Sequence, residues 1–350
     1  MADAPLKIPP HSLLPWHTAA VDQLRQAWSN GRLPHALLMQ GPQGLGKGRL
    51  ASWLGAAVLC ERSHETALEV CGNCPSCTLI EAGTHPDLTW VAPEEDKQQI
   101  SIEQVRDAAD RLTRTSYRRG YKVAVIDPAH QMTTSAANSV LKTLEEPSPP
   151  SLLILVSSRP SALPATVRSR CQKLSIARPT TATALDWLQH ASGGAVEPAL
   201  LEFAGGAPLL ALEYAGGKFN ALNDNMQKGL RDLLTGRADV TQVAAEWEKD
   251  ALADRLVWLD LWLSALARAA LTGNADLITF PGGQTHLPSP PHTLNISDVY
   301  SLVDRARALK AQLARTALQR ELAVESWLFA LLDVLTPTAS TRKSGFSDVR

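Results

Sequence analysis

Short apolar runs and amphipathic stretches alternate through the first half of the chain. Residues 35–40 form an apolar run that feeds a glycine-rich loop at 41–47, and an apolar-periodic stretch follows from 49 to 59. Residues 87–91 make a second short run. Ser101 with Gln104 three positions on is a capping box, in which each side chain satisfies the other's backbone N–H, so a helix starts there. Residues 122–127 (KVAVID) read as a third, buried strand, and 136–146 as a helix stopped by Pro147, whose ring cannot continue it. Residues 152–157 and 172–176 supply a fourth and a fifth strand. Strands separated by helices imply an α/β fold with a parallel, doubly wound sheet, and right-handed crossovers place helices on both faces.

Beyond Arg178-Pro179 the periodicity is helical, with no convincing strand. Residues 180–217 read as a small helical unit and 222–335 as a long all-helical region. Residues 274–294, rich in Gly and Pro, interrupt it as an extended surface loop. The polar tail 336–350 is expected to be disordered.

A length of 350 residues fits two to three domains. Hydrophobic residues at 45% and charged residues at 20% fit folded domains rather than wholesale disorder. Lys+Arg 34 against Asp+Glu 35 excludes a polyanion binder that works by bulk charge, so any nucleic-acid contact must be local or made through a partner. No apolar run reaches the ~18 residues of a membrane span, and residues 1–16 lack the layout of a secretion signal, so a cytoplasmic location without membrane contact is expected.

Four of the five cysteines, Cys60, Cys71, Cys74 and Cys77, fall in one short insert. A disulfide framework would be spread out; four soft ligands gathered together suit tetrahedral Zn²⁺ in a structural role. An iron–sulfur cluster is the rival, though the Cys-Pro continuation of the ferredoxin run is missing. His64 and His85 lie nearby and read as solvated or capping side chains.

Gly41, Gly44, Gly46 and Lys47 fit G-x-x-x-x-G-K between a strand and a helix. Glycines in that context let backbone N–H groups wrap a phosphate, and the lysine reaches the terminal phosphates. The next position should carry a hydroxyl for Mg²⁺, but Gly48 has none, which leaves ATP and Mg²⁺ binding doubtful. Asp127 ends the third strand, where it could orient Mg²⁺ through water; a turn or cap residue is the plainer reading. Arg170, in Ser169-Arg170-Cys171, precedes the last strand at the edge of the sheet domain, where it could cross an interface or make a surface salt bridge. Arg111, Arg114, Arg118, Arg119 and Lys122 form a basic run, read as a solvated helix end more readily than as a DNA contact.

Residues 37–48 (LLMQGPQGLGKG), the cysteine insert, Gly83-Thr-His-Pro-Asp87, Ile126-Asp127, residues 138–147 (NSVLKTLEEP) and Ser169-Arg170-Cys171 together resemble the clamp-loader branch of the AAA+ proteins. The resemblance implies a RecA-like AAA+ module over 1–178 with a zinc-knuckle insert at 60–77. A helical lid over 179–220, an all-helical collar for oligomerisation over 221–335 and the tail 336–350 would follow. Active members place a glutamate after the Asp127 position to activate water; this chain has Pro128. They carry a polar sensor at the end of the fourth strand, matched by Ser157, and a lid arginine that the segment 205–210 lacks. The resemblance therefore implies a non-hydrolysing stator of the bacterial DNA polymerase III clamp loader, with polymerase activity in another subunit. Its partners would be the gamma/tau motor and delta subunits of a hetero-pentamer and, through the complex, the sliding clamp and primed DNA. Its degenerate nucleotide site would comprise Gly41, Gly44, Gly46, Lys47, Asp127 and Ser157. Arg170 would act in trans as an arginine finger. An active ATPase motor subunit and a zinc-dependent DNA-binding module are the alternatives.

Overall fold

The computed structural model describes residues 13–63, 68–95, 97–117, 120–194, 196–272, 279–280, 283–284, 295–313 and 320–335. They divide into two compact units, one of residues 1–193 with 206–210 and one of 194–205 with 211–350.

In the first unit, α1 (Thr18–Ser29) precedes β1 (Ala36–Gln40), α2 (Lys47–Leu59), α3 (Pro75–Glu81) and β2 (Leu88–Val91). Then come α4 (Ile102–Thr113), β3 (Lys122–Ile126), α5 (Thr134–Ser139), α6 (Leu141–Glu145), β4 (Ser151–Ser157), α7 (Ala165–Arg168), β5 (Gln172–Ser175) and α8 (Thr181–Ser192). The sheet is five-stranded and parallel, in the order β2-β3-β4-β1-β5. The fold expected from the alternating runs is therefore present. β3 and β4 are buried along their whole length, as unbroken Val/Ile/Leu runs in a covered parallel sheet should be.

Alternation along each strand feeds two cores. Leu37, Met39, Val123, Val125, Ile154 and Leu174 pack with Leu50 and Leu54 of α2. Leu38, Ala124, Ile126, Leu153 and Leu155 pack with Val105 and Leu112 of α4, Leu144 of α6 and Val167 of α7. The expected capping box is formed: Ser101 Oγ accepts from Gln104 N at 3.3 Å, and Ser101 N donates to Gln104 Oε1 at 3.0 Å. The single helix expected over 136–146 is two short ones, broken at Val140. Strand order reverses beside β1, so the loop that follows it opens at the carboxyl edge of the sheet, where such folds bind ligands.

The second unit is built from α9 (Pro198–Phe203), α11 (Phe219–Leu234), α12 (Val240–Lys249), α13 (Leu252–Thr272), α14 (Ile296–Leu313) and α15 (Arg320–Leu335). A further short helix, α10 (Pro208–Glu213), begins in the first unit. Within 274–294, Thr279–Phe280 and Gly283–Gln284 pair as a minimal antiparallel ladder, which helical periodicity alone did not foretell. The rest of that stretch and the tail 336–350 lie outside the described residues.

A polar network sits inside this apolar bundle. Arg255 of α13 is 6% exposed. Its Nε donates to the Asp250 carbonyl at 2.9 Å, and one terminal nitrogen donates to Asn225 Oδ1. Its guanidinium lies 5.9 Å from the centre of the Trp247 ring. Asn223 Oδ1 accepts from Trp258 Nε1 at 3.0 Å and from Gln227 Nε2 at 3.3 Å.

Candidate functional sites at the sheet edge and the cysteine knuckle

The glycine loop after β1 is packed by protein on several sides. A Cβ on Gly41 would stand 2.5 Å from the Ile176 carbonyl oxygen. Gly44 and Gly46 have φ of 75° and 72°, a region that favours glycine. A Cβ on Gly44 would meet Leu210, and one on Gly46 would meet Leu14 at 2.5 Å. Leu209 N donates to the Gly44 carbonyl at 3.2 Å. The Leu45 carbonyl is held from the other side by Trp16 Nε1 at 3.0 Å and His17 Nε2 at 2.8 Å. Leu14 N donates to His17 Nδ1, which fixes the imidazole as a neutral Nε2–H tautomer; burial lowers its pKa in keeping with that.

Lys47 opens α2 but turns back on its own loop, and Nζ donates to the Pro42 carbonyl at 2.6 Å. Burial pushes its pKa down to about 8, against the opposing pull of the Asp127 charge. Asp127, just past β3, fills the space beside Gly48: a Cβ on residue 48 would lie 2.6 Å from Asp127 Oδ2. A side chain at position 48 would therefore face the rotatable end of the Asp127 carboxylate. Replacing a helical glycine normally gains about 0.5–1 kcal/mol. Gly48→Ser is expected to be neutral to stabilising by about 1 kcal/mol, because the carboxylate end turns aside and accepts from the new hydroxyl. In an Asp127→Ala background the hydroxyl loses that partner and the same change should be less favourable. Denaturant midpoints of the four chains check this; equal effects in both backgrounds would dismiss the contact.

Ser157 ends β4, wholly buried. Its Oγ lies 3.3 Å from His130 Nδ1 and accepts from Arg159 N at 3.1 Å. His130 is pushed down to about 4, chiefly by burial and then by the charges of Arg159 and Lys47, so its imidazole is neutral. Sequence reading passed over His130; its place three residues beyond Asp127 was the available signal.

Arg170 belongs to a different constellation. One terminal nitrogen lies 2.7 Å from Glu145 Oε1, and the other donates to the Thr166 carbonyl at 3.0 Å. Both side chains reach solvent, Arg170 at 38% and Glu145 at 52% exposure.

The four insert cysteines do converge. The Sγ atoms of Cys60, Cys71, Cys74 and Cys77 lie within 4.8 Å of one another, with Cys71 and Cys77 at 3.9 Å. A tetrahedral Zn–S bond of about 2.3 Å demands sulfurs about 3.8 Å apart, so the set fits a metal of that size. Chain geometry assembles it: Cys60 caps the end of α2 in extended conformation, Gly72 turns the knuckle at φ 72°, and Cys74 caps α3 by accepting from Cys77 N. Glu61 secures α3 by accepting from Ser76 N and Oγ. The Asn73 N–H, first among several donors, draws the Cys71 thiol down to about 6, whereas burial raises Cys60 and Cys77.

His85 is buried rather than solvated, and its Nδ1 accepts from Asp87 N at 3.1 Å. Asp87 in turn accepts from Tyr117 N, so the stretch from Gly83 to Asp87 seats the start of β2. His64 lies outside the described residues. The basic run is not one solvated patch: Arg111 pairs with Asp107 at 2.9 Å, and Lys122 is buried, donating to the Arg114 carbonyl. Arg118 and Arg119 lie outside the described residues. No described helix is long and apolar enough to cross a membrane.

A family model described as DNA polymerase III, delta subunit matches residues 16–180. The DNA polymerase III subunit delta′ of Pseudomonas aeruginosa is 36% identical over 269 residues, which are 75% of this chain and 80% of that protein. The subunit delta′ of Escherichia coli K12 is 31% identical over 333 residues, 92% of this chain and 96% of that protein. The DNA polymerase III subunit tau of Bacillus subtilis is 33% identical over 158 residues, 45% of this chain and 27% of that protein.

Proposed function

Because the chain belongs to the delta′ subunits of the bacterial DNA polymerase III clamp loader, we propose that it serves there as a stator that does not hydrolyse ATP. Its partners in a hetero-pentamer are the gamma/tau motor subunits and the delta subunit, and the assembly loads the sliding clamp onto primed DNA. The observation that carries this reading is Gly48 after Lys47, which offers no hydroxyl to Mg²⁺ although Asp127 stands beside it, with Pro128 where a base would stand. The glycine loop, Lys47, Asp127 and Ser157 then serve as a scaffold. The chain's contribution to chemistry is Arg170, exposed at the edge of its unit and offered to ATP bound on a neighbouring motor subunit. Charge develops on the transferring phosphoryl group, and a positioned guanidinium stabilises it. The four cysteines hold one structural Zn²⁺.

The purified chain is expected to turn over no ATP above background. Robust turnover abolished by Lys47→Ala would instead favour the motor reading. In the complex reconstituted with motor and delta subunits, clamp and primed DNA, Arg170→Ala should lower turnover severalfold. A single arginine finger contributes ~10³–10⁵ in rate, but sites on other subunits dilute the effect. Thermal stability of the single chain should barely change, because an exposed ion pair contributes about 0–1 kcal/mol. Normal turnover in a correctly assembled mutant complex would remove Arg170 from the mechanism.

A further inference from the structure

We infer that Glu145 is a positioning residue for Arg170, holding the guanidinium ready for an anion presented by a neighbouring subunit. This rests on the arginine-finger reading above. A guanidinium carries five N–H donors. Two are engaged within the chain, one on Glu145 Oε1 at 2.7 Å and one on the Thr166 carbonyl at 3.0 Å. Nε–H and one N–H on each terminal nitrogen are left for a phosphate oxygen.

The two anchors are themselves fixed. Glu145 ends α6, directly after Leu144, which is 4% exposed and lies in the same core cluster as Val167 of α7. The Leu144 carbonyl is bonded to the ring of His35 at 3.1 Å. Arg170 follows α7, and its backbone N–H donates to the Val167 carbonyl at 3.2 Å. The carboxylate at the end of one short helix and the arginine two residues past another thus start from backbone seated on one core. An exposed pair adds little to stability. Its value lies in removing rotamer freedom that the arginine would otherwise lose on meeting the phosphate. Glu145 stands in the segment 138–147, to which the sequence reading assigned no chemistry.

A carboxylate beside an arginine also weakens its attraction for an anion, so the opposite effect, masking, is physically reasonable. The two differ in sign. In the reconstituted complex, Glu145→Ala is expected to lower turnover at saturating ATP about threefold, with little change in the ATP concentration for half-maximal rate. Glu145→Gln, which keeps an acceptor and loses the charge, should fall between Ala and the unmodified chain. It also serves as the second variant should the Ala chain assemble poorly. Glu145→Ala combined with Arg170→Ala should be no slower than Arg170→Ala alone, because the carboxylate acts only through the arginine. Faster turnover in Glu145→Ala would establish masking and overturn the positioning role; so would unchanged turnover, or additive losses in the double variant. If Arg170→Ala itself leaves turnover normal, the arginine-finger reading falls and the role of Glu145 falls with it.

Discussion

Cys74→Ser, or removal of metal by a strong chelator, is expected to unfold the knuckle around residues 68–83 while the parallel sheet stays folded. Apart from the Glu61–Ser76 hydrogen bonds and the packing of Val70 and Ile80 against the main core, the cysteines are what hold the knuckle. Its own cluster consists of Cys60, Cys74 and Cys77 with Val70 and Cys71 packed alongside. α3 has seven residues, well under the ~12–15 an isolated helix needs. Structural Zn²⁺ contributes ~10–16 kcal/mol to the folding of comparable peptides, which dwarfs what this cluster buries. The sheet is insulated because β1, β3 and β4 are covered on both faces by larger clusters. Leu68, wholly buried in the main core, should mark the boundary of the unfolding. Elemental analysis should find close to one zinc per chain. Hydrogen exchange should then show lost protection over the knuckle and unchanged protection over β3 and β4. Iron with visible absorbance, or a knuckle equally protected without metal, would refute the assignment.

Arg255→Ala should destabilise the helical unit by about 2–4 kcal/mol, the range for a buried truncation that strands polar partners. Asn225 Oδ1 and the Asp250 carbonyl both lose a donor, and Trp247 loses the guanidinium over its ring. The arginine tolerates burial because carbonyl, amide and aromatic groups surround it; burial lowers its pKa, and the charges of Glu246 and Asp250 oppose that shift. Arg255→Lys should recover only part of the loss, since an ammonium cannot reproduce the planar fork. Hydrogen exchange across α11, α12 and α13 is the measurement, because it reads this unit apart from the sheet. A wild-type pattern in the Ala variant would show the network to be decorative.

What could be read from the chain beforehand follows from what is local. β3 and β4 announce themselves because a buried parallel strand needs only unbroken apolar residues, and Ser101 with Gln104 marks a helix start because capping spans four positions. The cysteine set was legible for a similar reason: ligands in a short insert must meet. The delta′ resemblance rests on such local strings. Contacts between distant segments were less legible. Asp127 could be grouped with the glycine loop and Lys47, but nothing near Arg170 reveals Glu145. The burial of Arg255 is not readable from the chain, because α13 is apolar nearly all round and gives no phase by which to place the residue inside. The break at Val140 was not legible because the helical apolar spacing, Ala136, Ala137, Val140, Leu141 and Leu144, runs straight across it.

The glycine loop touches Ile176, Leu210 and Leu14, so neighbours alone restrict what can stand at positions 41, 44 and 46. A phosphate-loop signature is therefore demanded by the shape of its surroundings as well as by any nucleotide it cradles, and the string by itself does not report turnover.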